Sequence, residues 1–448
     1  QGNLRNCDPR IACCTDPPGV LWFTTPRRDP MSTSNFLHTL GPIPPELLQI
    51  LRDVGTMAEK ADMHAYLVGG AVRDSLLKTL IKDLDICVEG DAHELARQME
   101  RELDAEISMK SQFLTTRVKV ATSTIDISTC RDESYLTPGV LPVVYPSSLE
   151  RDLARRDFTV NAMALDIAPG KWGSMIDPFD GRTDLRNSTL RSLHRNSFAD
   201  DPTRIFRAIR YSQRLGFHIS PSTAQDITTN VGYITALSSD RVIAEIDKIH
   251  AEAKCNQILS AASDISILQT VHPALRWDEP HATAMNKALA QNIPPPDAFL
   301  AIASYFLPAT DQIGTLAERI ANSTASRNIL LQTASIKSIE HLLMEGELKP
   351  SILHDHLATF DTHVLEVVEA ITSHSRLAEA IHRELHEFRQ AHTNLTASDL
   401  LELGVPQGPA IGDILKTLYT TLLDHPETDL EAETDLVRQW LQNNSPKP

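Results

Sequence analysis

From Pro45 to about Ala61, apolar side chains fall at Leu47, Leu48, Ile50, Leu51, Val54 and Met57, the spacing of one helix face. A short apolar run, Tyr66-Leu67-Val68, reads as a strand that enters Gly69-Gly70. That pair opens into a segment of helical spacing that carries Arg73 and Asp74. Lys82 to Val88 reads as a second strand, whose alternation puts Asp83 and Asp85 on one face. Residues 92–103 read as a helix, and 116–121 and 124–129 as strands joined by a hairpin at Thr122-Ser123. Strand, helix and strand followed by a hairpin imply a mixed sheet with helices on it, an α+β class.

Further along, residues 200–217 form a strongly two-faced segment. Asp201 and Pro202 suit the N-cap and first turn of a helix, and Gly216 suits its stop. At about 100° per residue, Arg204, Arg207, Arg210 and Arg214 share one side, with Ile205, Ala208, Ile209 and Leu215 opposite. Another helix is expected from about 237 to 250, capped by Ser239 or Asp240. Beyond about 270 the pattern is a succession of amphipathic helices broken by prolines, with no strand pattern or repeat.

Two carboxylates on one strand face behind a diglycine turn suit Mg²⁺ and a triphosphate, because hard oxygen ligands hold a hard cation and glycine lets backbone N–H groups approach phosphate. Each piece also has a bland explanation. Gly-Gly is usually a turn, Asp-x-Asp a solvated strand edge, and an arginine stripe the wet face of a helix. The order and spacing of the pieces decide the matter.

Residues 69–74 (GGAVRD), followed by Asp83-Leu84-Asp85, resemble the GGxVRD and DxD signature of the class II tRNA nucleotidyltransferase and bacterial poly(A) polymerase family. Residues 155–162 (RRDFTVNA) resemble its RRDFTxNA motif, and read without it they would be a helix N-terminus with a solvated basic pair. Residues 177–185 resemble its DPFGGxxDL turn, with Asp180 in place of the first glycine. Residues 200–204 (DDPTR) resemble its EDxxR motif, Asp200 replacing the usual glutamate, and Arg131, Glu133 and Tyr135 resemble its RxExY stretch. Leu114 stands where relatives commonly have a glycine after phenylalanine, which leaves open the shape of the loop beside the primer.

The resemblance covers about residues 66–250. It implies a polymerase-β-like nucleotidyltransferase head, a mixed sheet with helices, followed by an all-helical neck, body and tail. The expected limits are a leader at 1–35, the head at 36–190, a nucleotide-selecting neck at 191–270 and an RNA-acceptor region at 271–448. By resemblance Asp83 and Asp85 hold two Mg²⁺ ions and Asp126 supplies a third carboxylate. Gly69, Gly70, Arg73 and Arg156 contact the triphosphate, while Asp157 and Asn161 shape the ribose end. Asp201 and Arg204 read the incoming base, and Arg207 and Arg210 face phosphates. The implied reaction is template-independent addition of CCA, or part of it, to tRNA from CTP and ATP. The alternatives are a poly(A) polymerase and a catalytically silent RNA-binding module.

Composition narrows the class without naming the chemistry. The 448 residues are 42% hydrophobic and 23% charged, which describes a globular chain of several domains with no run long enough to span a bilayer. A formal charge of −17 excludes a protein that grips nucleic acid with its whole surface, though not one with a local basic groove. Residues 301–448 hold 21 acidic and 10 basic side chains, so the excess is concentrated there. Six cysteines with no C-x-x-C pair fit a reducing, cytoplasmic setting. Three of them, with five prolines, lie in residues 1–30, which read as a disordered or artefactual leader before Met31. Many of the 17 histidines lie in the second half, and they are expected on the surface or in packing.

Overall fold

The computed structural model describes residues 43–81, 83–121, 123–308 and 310–444; the leader, Lys82 and Thr122 of the expected strand and hairpin lie outside them. In chain order the first elements are α1 (Pro45–Lys60), β1 (His64–Val68), α2 (Gly70–Leu76), β2 (Leu84–Glu89), α3 (Ala92–Glu102), β3 (Glu106–Lys110), β4 (Thr115–Val120) and β5 (Ser123–Thr129). Next come β6 (Arg131–Ser134), β7 (Val143–Pro146), α4 (Leu149–Ala154), β8 (Ala164–Asp166), β9 (Met175–Ile176), α5 (Gly181–Arg186), β10 (Thr189–Leu190), α6 (Ser197–Asp200), α7 (Thr203–Leu215), β11 (His218–Ile219), α8 (Pro221–Asn230) and α9 (Ser239–His250). From there to α21 (Leu430–Asn444) only helices and turns occur among the described residues. No helix among them is long and apolar enough to cross a membrane.

The chain divides into two compact units. One runs through Thr129 and takes back Met163–Phe179; the other holds Cys130–Ala162 and Asp180 onward. The first is built on a seven-stranded sheet in the order β3-β4-β5-β2-β1-β8-β9. Its only parallel pair is β2 with β5, so the sheet is mixed, as strand–helix–strand followed by a hairpin requires. Leu51, Val54, Leu95, Met99, Val118, Ile125 and Ile127 form one core with the strands, which places α1 and α3 on the apolar face. Gly55 fits there because a Cβ would stand 2.0 Å from the Ile167 carbonyl oxygen, so the helix approaches the chain after β8 at backbone distance.

The expected second strand starts later than its sequence suggests. β2 begins at Leu84, and Asp83 sits in the bend before it. Both carboxylates are nevertheless exposed on either side of buried Leu84, so the alternation survives. Strands β3, β8 and β9 escaped the sequence reading, being short and weakly patterned. The cap of α9 is Ser238, whose hydroxyl accepts from the Arg241 N–H, one residue before the expected Ser239 and two before Asp240.

Two positions where the resembled family carries glycine have left-handed backbones here. Leu114 has φ of 58° and Asp180 has φ of 57°. Aspartate tolerates that region, whereas a leucine Cβ is crowded there by about 1–2 kcal/mol. The backbone is held in this conformation at Leu114 by its carbonyl, which accepts from the Thr129 N–H at 2.9 Å where the β4–β5 ladder ends. The usual order of substitutions should therefore invert: Leu114→Gly is expected to be more stable than Leu114→Ala by about 1 kcal/mol in urea unfolding, since only glycine removes the crowding. An alanine variant as stable as the glycine one would refute the strained turn.

Candidate active site

The first unit supplies a carboxylate cluster. β2 and β5 run in parallel register with Asp85 beside Asp126, and β4 sets Arg117 opposite Asp126. Because Leu84, Ile86, Val118, Ile125 and Ile127 are all buried, the period of two throws Asp85, Asp126 and Arg117 onto the other face. Arg117 forks onto Asp126, Nε to Oδ1 and Nη2 to Oδ2, each 2.7 Å. Its pKa is raised first by that hydrogen bond and then by the charges of Asp126, Asp83 and Asp85. Three carboxylates thus act on one guanidinium.

This donor set fits divalent magnesium. Asp83 and Asp85 are exposed hard oxygen ligands, and Asp126 keeps a second lone pair on each oxygen that Arg117 engages. Alongside, Gly69 is left-handed with φ of 70°, and its N–H is bonded to the Met163 carbonyl. Arg73 is buried at 3% exposure and forks onto Asp74, so its charge is held in place by its own neighbour.

The second unit supplies an arginine–carboxylate lattice. Arg155 and Arg156 do not open a helix, as the bland reading had it, but follow the C-terminus of α4. Neither is solvated. Both bind fully buried Asp152, Arg156 through Nη2 at 2.8 Å, and Arg155 reaches Glu133 at 2.7 Å. Asp157 and Asn161 are brought together: Asn161 Nδ2 donates to Asp157 Oδ1 at 3.0 Å, and both are nearly buried. Arg207 Nε donates to Asp157 Oδ2 at 2.8 Å.

The stripe on α7 is accordingly not a free basic face. Arg207 and Arg210, expected to face phosphates, are paired here with Asp157 and Glu252, the latter at 3.0 Å. Arg207, Arg210 and Arg214 also lie around the Tyr211 ring, at 4.8 to 5.2 Å. A guanidinium drawn out of water requires a counter-charge, and the sequence spacing of the four arginines gives no sign of these distant partners. The N-cap of α7 is Pro202 and not the expected Asp201, whose carboxylate nevertheless accepts from the Thr203 N–H and hydroxyl and from Arg241 at 2.7 Å. Arg204 is 6% exposed and donates to Ser197 Oγ and the Arg155 carbonyl. It lines a cleft of about 200 Å³ with Glu133, Tyr135, Arg155, His194 and Asp200. Tyr135 donates to Glu133 at 2.7 Å, and burial together with that carboxylate raises its pKa. Burial and the Arg204 charge push His194 down to about 4, so it is neutral at physiological pH.

With both sets of residues described, similarity to known proteins becomes informative. Residues 65–191 match the family model described as the poly A polymerase head domain, and 216–278 match the probable RNA and SrmB-binding site of polymerase A. The chain is 32% identical over 378 residues to the A-adding tRNA nucleotidyltransferase of Halalkalibacterium halodurans, covering 82% of this chain and 86% of that one. The chain belongs to the tRNA nucleotidyltransferase family. It is 30% identical over 371 residues to the CCA-adding enzyme of Lacticaseibacillus paracasei, covering 80% and 88% of the two chains. The Thermotoga maritima CCA-adding enzyme complexed with tRNA superposes with a TM-score of 0.69 at 26% identity, over 89% of this chain and 96% of that one. As a family member the protein is a nucleotidyltransferase, with the mixed-sheet head and helical remainder of its relatives.

The lattice makes an acid-sensitive element. Burial alone would raise Asp157, but the Arg207 charge and the bonds from Asn161 and Arg207 outweigh it and hold its pKa at about 2. Asp152 behaves alike, burial being overridden by Arg156 and Arg155, also to about 2. A depressed carboxylate contributes stability fully present above the unfolded value near 4 and lost as pH falls toward 2. Urea unfolding of the second unit between pH 2 and 7 should weaken below about 4. Asp157→Asn should shed part of that acid limb and cost about 3 kcal/mol at neutral pH, because Arg207 is left unpaired. An unaltered acid limb in the variant would show that the pair does not carry the effect.

Proposed function

We propose that this nucleotidyltransferase adds nucleotides without a template to the 3′ end of tRNA, building CCA or its terminal A from CTP and ATP. The observation that carries this reading is the convergence of Asp83, Asp85 and Asp126 on the polar face of the sheet around a single guanidinium. The A-adding tRNA nucleotidyltransferase and CCA-adding relatives support tRNA as the acceptor, and the CCA-adding enzyme structures complexed with ATP and with CTP support those donors. On this reading the head would span 36–190, the nucleotide-selecting neck 191–270, and the RNA-acceptor body and tail 271–448.

Two Mg²⁺ ions, when bound, would assist attack of the RNA 3′-hydroxyl on the α-phosphate and neutralise departing pyrophosphate. Asp83 and Asp85 would hold them. Asp126, aligned by Arg117, would complete the ligand set or accept the hydroxyl proton. Gly69, Gly70, Arg73 and Arg156 would bind the triphosphate. Asp157 and Asn161, locked to each other, would set the ribose end. Arg207, through its bond to Asp157, would keep that carboxylate ionised rather than meet phosphate itself. Arg210 would brace α7 through Glu252. Asp201 and Arg204 would offer hydrogen bonds to the edge of the incoming base, and the cleft beside Arg204 would exclude water from it. A guanidinium, with its fixed fork of donors, suits such reading better than an ammonium.

The test uses three tRNA transcripts, ending before CCA, after C and after CC, each with Mg²⁺ and labelled CTP, ATP or both. Ordered growth to CCA that then stops supports full CCA addition. A single A added only at the CC end supports A addition. Long A tails on any RNA would point to the poly(A) polymerase, the reading that the matched head-domain model keeps in view. Asp83→Ala or Asp85→Ala should reduce incorporation at least about a thousandfold with unfolding unchanged, as removal of a ligand of the attacking and leaving oxygens requires. Retained activity in either variant would overturn the metal assignment. No incorporation by folded wild-type protein would leave the silent RNA-binding module.

A further inference from the structure

The histidines of the helical half are divided between the surface and packing positions. His281 lies against the Trp277 and Phe306 rings and bonds Asp278, and His354 sits between buried Glu384 and Tyr419. One pair is different. His382 and His386 stand one turn apart near the end of α18 (Ser375–His386), so they share a helix face. Their rings are 4.5 Å apart by centroids, and both are exposed. Glu369 of the preceding helix, α17 (Thr362–Ile371), accepts from His382 Nδ1 at 3.0 Å. One ligand atom from each of the three lies within 4.8 Å of the others, the one such grouping among the described residues.

We propose that Glu369, His382 and His386 form a binding site for a zinc-class divalent ion that clamps α17 to α18. Two imidazoles and one carboxylate are a donor set that zinc accepts, with water in the fourth position. A tetrahedral ion needs ligand atoms about 3.3 Å apart, so the three must close by up to about 1.5 Å, which rotation of the two exposed histidine side chains supplies. The backbone favours the same charge. His386 is the last residue of α18, where unpaired carbonyls make the negative end of the helix dipole. The intervening cation, Arg383, is drawn aside, bonded to Glu387 at 3.0 Å and lying over the Phe388 ring at 4.8 Å. The site is separate from the carboxylate cluster in chemistry as well as in sequence: imidazoles discriminate against magnesium, which Asp83 and Asp85 suit. It is a structural clamp, with no part in nucleotide transfer.

The experiment is a calorimetric titration of metal-free, tag-free full-length protein with zinc chloride, repeated with magnesium chloride and with His382→Ala/His386→Ala and Glu369→Gln proteins. Wild type should bind one more equivalent of zinc than the double variant, with micromolar affinity, and that equivalent should be insensitive to millimolar magnesium. Glu369→Gln should weaken it about tenfold, because one ligand loses its charge. Hydrogen exchange at residues 366–386 should slow on zinc addition in wild type only. Equal zinc stoichiometry in wild type and double variant, or displacement of the extra equivalent by magnesium, would overturn the site. Any zinc taken up by the carboxylates of the first unit is present in both proteins and cancels in the difference.

Discussion

Strands β2 and β5 lie parallel and in register, Leu84 beside Ile125 and Asp85 beside Asp126, and this pairing serves two ends at once. It closes the apolar face that α1 and α3 cover, and it aligns two carboxylates on the opposite face. The two ends are inseparable, because the side-chain period of a strand is two and a slip of either strand by one residue would bury its acid and expose its apolar residues. The hydrophobic core therefore guarantees the geometry of the acidic cluster. Arg117, brought in by antiparallel β4, offsets part of the mutual repulsion of three neighbouring carboxylates.

The second unit solves the opposite electrostatic problem. There charges are drawn inward, and besides the local pairing of Asp152 with Arg155 and Arg156, several are matched by partners distant in sequence: Arg207 by Asp157, Arg210 by Glu252, Asp201 by Arg241. Pairs of this kind add little net stability over an apolar core, yet breaking one leaves a charge with no partner in a dry environment. Their effect is rigidity. Asp157, Asn161 and Arg204, the residues a nucleotide would meet by family resemblance, are each fixed by bonds already made before any ligand arrives. Such prior fixing lowers the entropy lost on binding.

The helical remainder owes its stability to ordinary packing. Trp277 stacks on Phe299 at 5.4 Å, and a small terminal core forms around Leu400, Ile414, Leu418 and Val437. Its acidic excess belongs to the solvated faces of these helices, while buried acids such as Glu384 and Glu433 are occupied by Arg389 and by the N–H groups of Asn394 and Leu395. An acceptor RNA would meet local features of this half rather than a basic field.

Local pattern determined a good deal of this protein. The helix from Pro45, the strands around Tyr66 and Ile127, the stop at Gly216 and the exposed placement of Asp83 and Asp85 all follow from periodicity and turn chemistry, which act within a few residues. The ordered motifs identified the family. What the tertiary structure alone decided is where the charges go. A stripe of arginines on α7 has the same appearance in sequence whether water or a carboxylate faces it, and the partners of Arg207 and Arg210 lie 50 and 42 residues away. Leu114 and Asp180 show the same limit in the backbone. Each looks like a harmless replacement for glycine, and only the folded chain reveals that the left-handed turn was kept. Propensity is local, whereas burial and ion pairing are set by long-range contacts that no short window of residues contains.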